Sequence, residues 1–388
     1  MPKEYKITFG GWYQRTTLHL TEVYDFLAYG MSRLDLNKEK LSIFHSKLNL
    51  EQVSREAEGL EYVKAKTLDD IDIKYYEDGL YVLSIISDDV GEAKENLSSY
   101  FSEIFEPAIS YIFSLGAPTP KVLANIKRFH PTVVSLTKKK PQEFKVNDKF
   151  GEIYSKISSK ETTVFKTPGY IFVVSGQGRK HLDDLVEMQI FFREFKDQLE
   201  KYLNIHRDIW EEIAAIKEKG EIRGKDIGEL RSKLDGYEKT ISLINNRINQ
   251  MGSYIDTRRS IAETVKVEKN LVSLFQYKFE TLKDTHGYIH ELWRMTYDYL
   301  KSAIQIIVEL ENQSTNVSIE SLTTVTMVGV ISGVLGYLAT DSLPGVTPAG
   351  AVYFGLLIVA TWLANRLITK VYRDKKYKIE FTEREKNI

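Results

Sequence analysis

The 388-residue chain contains no cysteine. Disulfides, thiolate zinc sites and cysteine nucleophiles are therefore excluded, and the lack fits a chain whose bulk lies in a reducing compartment. An excess of one charge is also missing. Lys and Arg number 53 against 54 Asp and Glu, a net charge of −1, so the chain as a whole has no electrostatic footprint for nucleic acid. Proline is scarce, nine in all, with none between Asp226 and Pro344. The N-terminus, MPKEYKITFGGWY, has no apolar signal region and no transit-peptide pattern. No Ser-His-Asp arrangement or paired catalytic carboxylate stands out, so an enzymatic reading has no motif to rest on. What is present is length enough for two or three structural units with ample core. The mean hydropathy of −0.29 is that of an ordinary soluble protein, but it averages over a segregated sequence.

From Thr323 to Ala364 there are 42 residues and one formal charge, Asp341. Thr323–Thr340 and Ala349–Ile368 each reach the length expected of a membrane helix, about 20 residues with a lower limit near 17. Between them, Pro344 and Gly345 interrupt a helix and Thr347-Pro348 reads as an N-cap followed by proline at the first helical position. This pattern predicts a tight membrane hairpin in a lipid bilayer. The connecting loop has no Lys or Arg, whereas Arg366 lies at the end of the second segment and Lys370, Arg373, Lys375, Lys376 and Lys378 follow it. Basic residues stay inside, which predicts a multi-pass protein of the cell membrane with both termini cytoplasmic. The basic tail reads as a topology determinant, with contact to anionic lipid as a second role.

Residues 179–219 read as a helix, with Leu182, Leu185, Met188, Phe191, Phe195, Leu199 and Leu203 recurring at three- and four-residue steps. Gly220 and Gly224 flank a break. A second helical pattern runs from about Asp226 to the apolar region, with interruptions expected at Gly236 and Gly252. Phe275, Leu282 and Ile289 are seven apart, as are Leu292, Tyr299 and Ile306, a heptad-like spacing. A helix of this length needs neighbours to bury it, supplied by other copies of the chain or by the 179–219 helix. Residues 1–178 are mixed. Tyr5–Trp12, Asp72–Tyr76, Leu80–Ile86 and Gly169–Val174 read as strands, Glu77-Asp78-Gly79 as a hairpin turn, and Leu18–Met31 and Glu92–Leu115 as helices. The fold class is α+β: a mixed α/β domain over 1–178, a helical stalk over 179–322, a two-helix transmembrane hairpin over 323–370 and a basic tail over 371–388.

Several constellations are weaker. Gly176-Gln177-Gly178 before Arg179-Lys180 hints at a phosphate loop but lacks the full glycine fingerprint, and a plain loop is the better reading. His286 and His290, four apart on a helix, could share a metal, though a solvated helix face is commoner. Asp183-Asp184 and Asp69-Asp70-Ile71-Asp72 could hold a hydrated divalent cation, with a solvated surface as the default.

A mixed domain, a long stalk, two C-terminal apolar helices, a short loop and a basic tail together resemble the CorA family of magnesium channels. Thr315-Asn316-Val317-Ser318-Ile319-Glu320-Ser321-Leu322-Thr323 looks like the family's Asn-x-x-x-(basic or polar)-x-Leu-Thr passage from stalk to pore. The resemblance implies a homo-oligomer, a pentamer, with Asn316 as a polar ring and Ile319 and Leu322 as a hydrophobic constriction. Helical spacing then adds Thr326, Val330, Gly333 and Tyr337 to one pore-lining face. The family's Gly-Met-Asn signature is absent, and Thr340-Asp341-Ser342 occupies its position. A ring of Asp341 carboxylates at the outer mouth would attract cations, so Asp341 is the expected metal-contacting residue, with Mg²⁺ or another divalent cation as substrate and regulator. The expected function is passage of divalent cations along the membrane potential. The alternative is a non-conducting scaffold or sensor anchored in the membrane.

Overall fold

Alternation along Tyr5–Trp12 (β1) places two kinds of side chain on the two faces of one sheet, and the fold follows from that division. The computed structural model describes residues 4–13, 19–113, 131–218, 220–338 and 348–378. By contact the chain divides into two units, one of residues 1–205 with 244–291 and one of 206–243 with 292–388. In the first unit β1 is followed by helices Leu20–Tyr29 (α1) and Lys38–Leu48 (α2). Four strands come next, Leu50–Glu58 (β2), Leu60–Thr67 (β3), Asp72–Tyr76 (β4) and Leu80–Ser87 (β5). Helices Val90–Tyr100 (α3) and Glu106–Phe113 (α4), joined through a π-helical turn, precede Thr132–Thr137 (β6), Ser155–Ser158 (β7), Thr162–Lys166 (β8) and Tyr170–Ser175 (β9). The strands form one nine-stranded sheet in the order β2-β3-β4-β5-β1-β6-β9-β8-β7. β6 and β9 run parallel, while the other described pairs are antiparallel.

The expected strands over Tyr5–Trp12 and Asp72–Tyr76 form with those bounds, and Glu77-Asp78-Gly79 turns between β4 and β5 with Gly79 at φ +91°. Strands β2 and β3 were not anticipated. They are rich in Lys and Glu, and β2 is an edge strand with mostly solvated side chains, so local propensity is weak and the ladder itself decides.

One sheet face carries Ile7, Leu83, Ile73, Val63, Val134, Leu136, Phe172 and Val174, buried against α1–α4. The other face of β1 carries Lys6, Gly10 and Trp12, and Arg179–Glu218 (α5) lies along it. Lys6 pairs with Asp183 at 2.9 Å, Gly10 lies under Ile190, and Trp12 stacks on Phe195 with ring centroids 5.3 Å apart. Six strand steps span about 20 Å and twelve helical steps about 18 Å, so strand and helix stay in step. A Cβ at Gly10 would stand 2.8 Å from Ile190 Cγ2, so the missing side chain permits this close approach.

Three long helices repeat every seven residues. In α5 the buried series is Met188, Phe195, Tyr202, Ile209 and Ile216. In Ile227–Thr264 (α6) it is Ile227, Leu234, Ile241, Ile248, Ile255 and Ala262, with Ile244, Met251 and Arg258 three residues on. In Phe279–Leu338 (α7) the series Phe279, Trp293, Leu300 and Ile307 runs beside Leu282, Ile289, Thr296, Ala303 and Leu310. These are a and d positions. The expected Leu282–Ile289 spacing lies on this seam. The Leu292–Tyr299–Ile306 spacing lies one residue off it, on half-buried positions, because Trp293, Leu300 and Ile307 occupy the seam.

The expected breaks at Gly236 and Gly252 do not occur, and both glycines lie inside α6. Gly252 instead makes room for His286, whose Cε1 would be 3.0 Å from an added Cβ. The chain reverses farther on. Lys266 takes φ +60° while its amide donates to the Glu263 carbonyl, and the Val267 amide donates to the Ala262 carbonyl. That is a Schellman closure with lysine at the position that glycine usually fills, and Ala262 and Val267 are both fully buried beside it.

In the second unit, α5 and α6 are bridged by Glu212–Lys233 at 2.9 Å, and Arg231 on α6 pairs with Glu311 on α7. A row of stacked rings, His206, Trp210 and Tyr299, packs with Trp293 edge-on to His206. Pro348–Asp374 (α8) follows α7, and Glu221–Arg223 (β10) pairs antiparallel with Lys376–Lys378 (β11). Part of the stretch expected to be a free basic tail is thus a strand.

The expectation of a multi-pass cell-membrane protein with cytoplasmic termini does not stand. No helix among the described residues is long and apolar enough to cross a membrane. The helices form, but small and polar residues interrupt their apolar runs: Gly329, Gly333 and Gly336 stand among Thr and Ser residues in α7, and the α8 run meets Asn365 and Arg366.

Arg258 is the one seam residue of α6 that carries a charge. It donates from Nε and Nη2 to the two carboxylate oxygens of Asp78 at 2.7 and 3.0 Å, and the two side chains are 3% and 0% exposed. The rings of Tyr76 and Phe191 lie over its guanidinium, 4.5 and 5.2 Å from ring centre to Cζ. Replacing one member alone leaves a buried charge. Asp78→Ala is expected to lower stability by about 3–5 kcal/mol in urea denaturation, whereas Asp78→Leu with Arg258→Met loses far less.

Glu194 on α5 is held by Arg193 at 2.9 Å, yet burial outweighs that pairing and raises its carboxyl from 4.5 to about 7. Between those pH values the folded chain keeps a proton that the unfolded chain has lost, so this group's contribution to stability falls as pH rises. Between pH 4.5 and pH 8 the stability of Glu194→Gln relative to the parent should improve by on the order of 3 kcal/mol, measured by denaturation at both pH values. An unchanged difference would refute the assignment.

Candidate functional site

The expected pore residues lie beyond Leu310, the last described buried residue of α7, and off its buried seam. Leu310 is buried, Glu311 is tied to Arg231, and no described side chain from Asn312 to the end of α7 is buried. Asn316 is exposed, Ile319 is 56% exposed, Thr326 and Gly333 are exposed, and Val330 is 59% exposed. Leu322 and Tyr337 lie on the helix, with side chains outside the described set, and Thr340, Asp341 and Ser342 lie outside the described residues altogether.

The helical spacing brings these positions onto one stripe, and the structure enlarges it. Thr323, Thr326, Met327, Val330 and Ile331, at steps of three and four, line an open groove of about 330 Å³. Met327 and Ile331 were not anticipated, although they fall at the same helical spacing. Thr323 donates its hydroxyl to the Ile319 carbonyl at 2.8 Å, and Thr315 donates likewise to Glu311 at 2.9 Å. Such back-bonded threonines keep oxygen lone pairs facing outward.

A second stripe lies on α8. Val352, Leu356, Val359 and Leu363 follow steps of four, three and four and are all exposed. Twelve of the 23 exposed large hydrophobic side chains among the described residues fall between Ile319 and Val371, so this is a concentrated surface and not a scatter of single residues. At roughly half exposure, twelve such side chains present on the order of 1,000 Å² of apolar area, more than the few hundred Å² of a typical largest monomer patch and comparable to one side of a standard protein interface, about 800 Å².

The other candidates are spent on the fold. At Gly176-Gln177-Gly178 the Gly176 amide donates to the Glu161 carbonyl at 2.8 Å and the Gln177 amide to Ser175 Oγ at 3.1 Å, so two of the donors that a phosphate would need are committed. His286 Nε2 lies 2.6 Å from the Ile248 carbonyl, which requires that nitrogen to carry the proton. Burial lowers the His286 pKa, and a metal shared with His290 could not use the committed nitrogen. Asp183 is paired with Lys6, and Asp70 with Lys66 at 2.9 Å. Burial, with Glu187 nearby, raises Asp184 to about 6. Glu187 accepts from Lys74 at 2.6 Å and from the Tyr76 hydroxyl. Among the described residues no group of three or more His, Asp or Glu is placed to hold a metal ion.

Sequence reading missed Arg258 and the β10–β11 pair. A signal for the first existed, since a charged residue at a heptad seam requires a buried counter-charge. None existed for the second, because Lys-Tyr-Lys within a basic run has no distinctive strand pattern. No protein-family model, curated protein or solved structure matches this chain.

Proposed function

We propose that this chain acts as a homo-oligomer of CorA-like organisation, in which the α7 stripes of several copies surround a common axis and admit divalent cations to an oxygen-bearing path. The observation that carries the reading is the exposed apolar and hydroxyl face of α7 and α8, whose area on one chain is comparable to one side of a standard interface. Helices apolar on their exposed faces need partners, and copies of the same chain are the economical source. On α8, leucine at the a positions Leu356 and Leu363 with β-branched valine at the d positions Val352 and Val359 is the arrangement that favours assemblies larger than two. On α7, Asn316, Thr323 and Thr326 supply oxygen atoms. With no cysteine in the chain, a bound metal meets oxygen or imidazole, and oxygen suits hard cations such as Mg²⁺. Asp341 belongs to the same reading as the acidic ring at one end of the axis, and five copies is the stoichiometry that the resemblance implies.

A non-conducting scaffold is the second reading, favoured by the replacement of Gly-Met-Asn with Thr340-Asp341-Ser342. Light scattering of the purified full chain, with and without Mg²⁺ or Co²⁺, separates the two. The expected result is a pentamer whose melting temperature rises with cation concentration, with that rise reduced in Asp341→Asn. Val330→Glu places like charges around the axis and should break the assembly. A pentamer indifferent to every cation supports the scaffold. A monomer, whether free or adsorbed to lipid vesicles, overturns both.

A further inference from the structure

The strand that follows α8 has no role in the reading above, and it is held in a way that the sequence does not suggest. Between α5 and α6 the chain turns at Gly220, with φ +62°, forms β10 over Glu221–Arg223, and enters α6 through the short turn Gly224–Asp226. β11 comes from the opposite direction with one residue, Lys375, between it and the last residue of α8, Asp374. Glu221 pairs with Lys378, Ile222 with Tyr377 and Arg223 with Lys376, and the Gly224 amide extends the ladder by donating to the Lys375 carbonyl at 3.0 Å. Ile222 and Tyr377, opposite one another, are 5% and 7% exposed, while Glu221, Arg223, Lys376 and Lys378 face solvent. Lys376 Nζ lies 2.8 Å from Glu221 and holds that carboxyl below its usual range.

We propose that β11 is a latch that pins the end of α8 to the α5–α6 turn. An isolated two-stranded ladder is marginal in water and an exposed ion pair adds little, so the closed state depends on the burial of Ile222 and Tyr377. One connecting residue leaves no slack. While the latch is closed, α8 holds a single orientation and presents Val352, Leu356, Val359 and Leu363 together. This last consequence rests on the self-association reading, whereas the latch itself does not.

The absence of native cysteine makes a crosslinking test direct. Directly opposed residues of an antiparallel pair have Cβ atoms about 4.5–5.5 Å apart, close enough for a disulfide after small adjustment. Under mild oxidation Ile222→Cys/Tyr377→Cys should close one intramolecular bond, identified by peptide mapping, and the solvent-facing Glu221→Cys/Lys378→Cys should do so without disturbing the buried pair. In Tyr377→Ala, hydrogen exchange of the amides over 221–226 should accelerate at least tenfold and self-association should weaken about tenfold, while the oxidised double-cysteine chain keeps the parent's association. If neither cysteine pair closes, or exchange over 221–226 is unchanged in Tyr377→Ala, the latch is refuted. If the latch behaves as expected but the parent chain is monomeric, the latch stands and the self-association reading fails. If the parent assembles and Tyr377→Ala assembles equally well, the control of α8 by the latch is refuted.

Discussion

A guanidinium with 3% of its side chain exposed cannot remain without a counter-charge, and this constraint at Arg258 organises the sheet domain. The α6 repeat turns position 258 inward, and the Asp78 carboxylate at the β4–β5 turn meets it with both oxygens. Asp78 also accepts the Leu80 amide at 3.1 Å, so one side chain shapes the turn and anchors the helix. Tyr76 covers the guanidinium and hands its own hydroxyl to Glu187 on α5, which in turn holds Lys74. Two cations and two carboxylates balance beneath the sheet, and β4, the β4–β5 turn, α5 and α6 are tied to one another through them. Moving any one element would strand a buried charge.

The same helices show the opposite condition in the second unit. The a and d repeat of α7 is buried through Leu310, and beyond it the exposed Ile319 and Val330 lie about 180° and 200° round the helix from Leu310, off that seam. An apolar stripe exposed at more than half of its surface is unfavourable in water, and the proposed self-association would relieve that exposure. The strand pair at the α5–α6 turn bears on that surface, because it determines how α8 is held.

Much of the architecture was legible. The strands over Tyr5–Trp12 and Asp72–Tyr76, the turn at Glu77-Asp78-Gly79 and the helix from residue 179 follow from alternation, glycine placement and three-to-four spacing. What misled were signals with two physical meanings. Glycine at 236 and 252 reads as a helix breaker, yet α6 continues through both, and Gly252 is the space that the His286 ring needs. The real reversal falls at Lys266, where no glycine advertises it, because the Schellman bonds and the burial of Ala262 and Val267 offset the cost of a left-handed lysine. Near-chargeless segments read as membrane spans, yet no helix among the described residues is long and apolar enough to cross a membrane.

Sequence by itself determined periodicity: which residues alternate, which recur every seven, and where charge is absent. Those properties are local, set by the rise of a strand or the turn of a helix. Tertiary structure alone decided the partners, since each depends on residues far apart in the chain. Asp78 meets Arg258, the Gly10 backbone lies under Ile190, and a basic terminal segment becomes the strand opposite Ile222. The physical reason is that burying a charge, a ring or an unpaired amide is favourable only when a specific second group arrives, and the arrival of that group depends on the path of the whole chain.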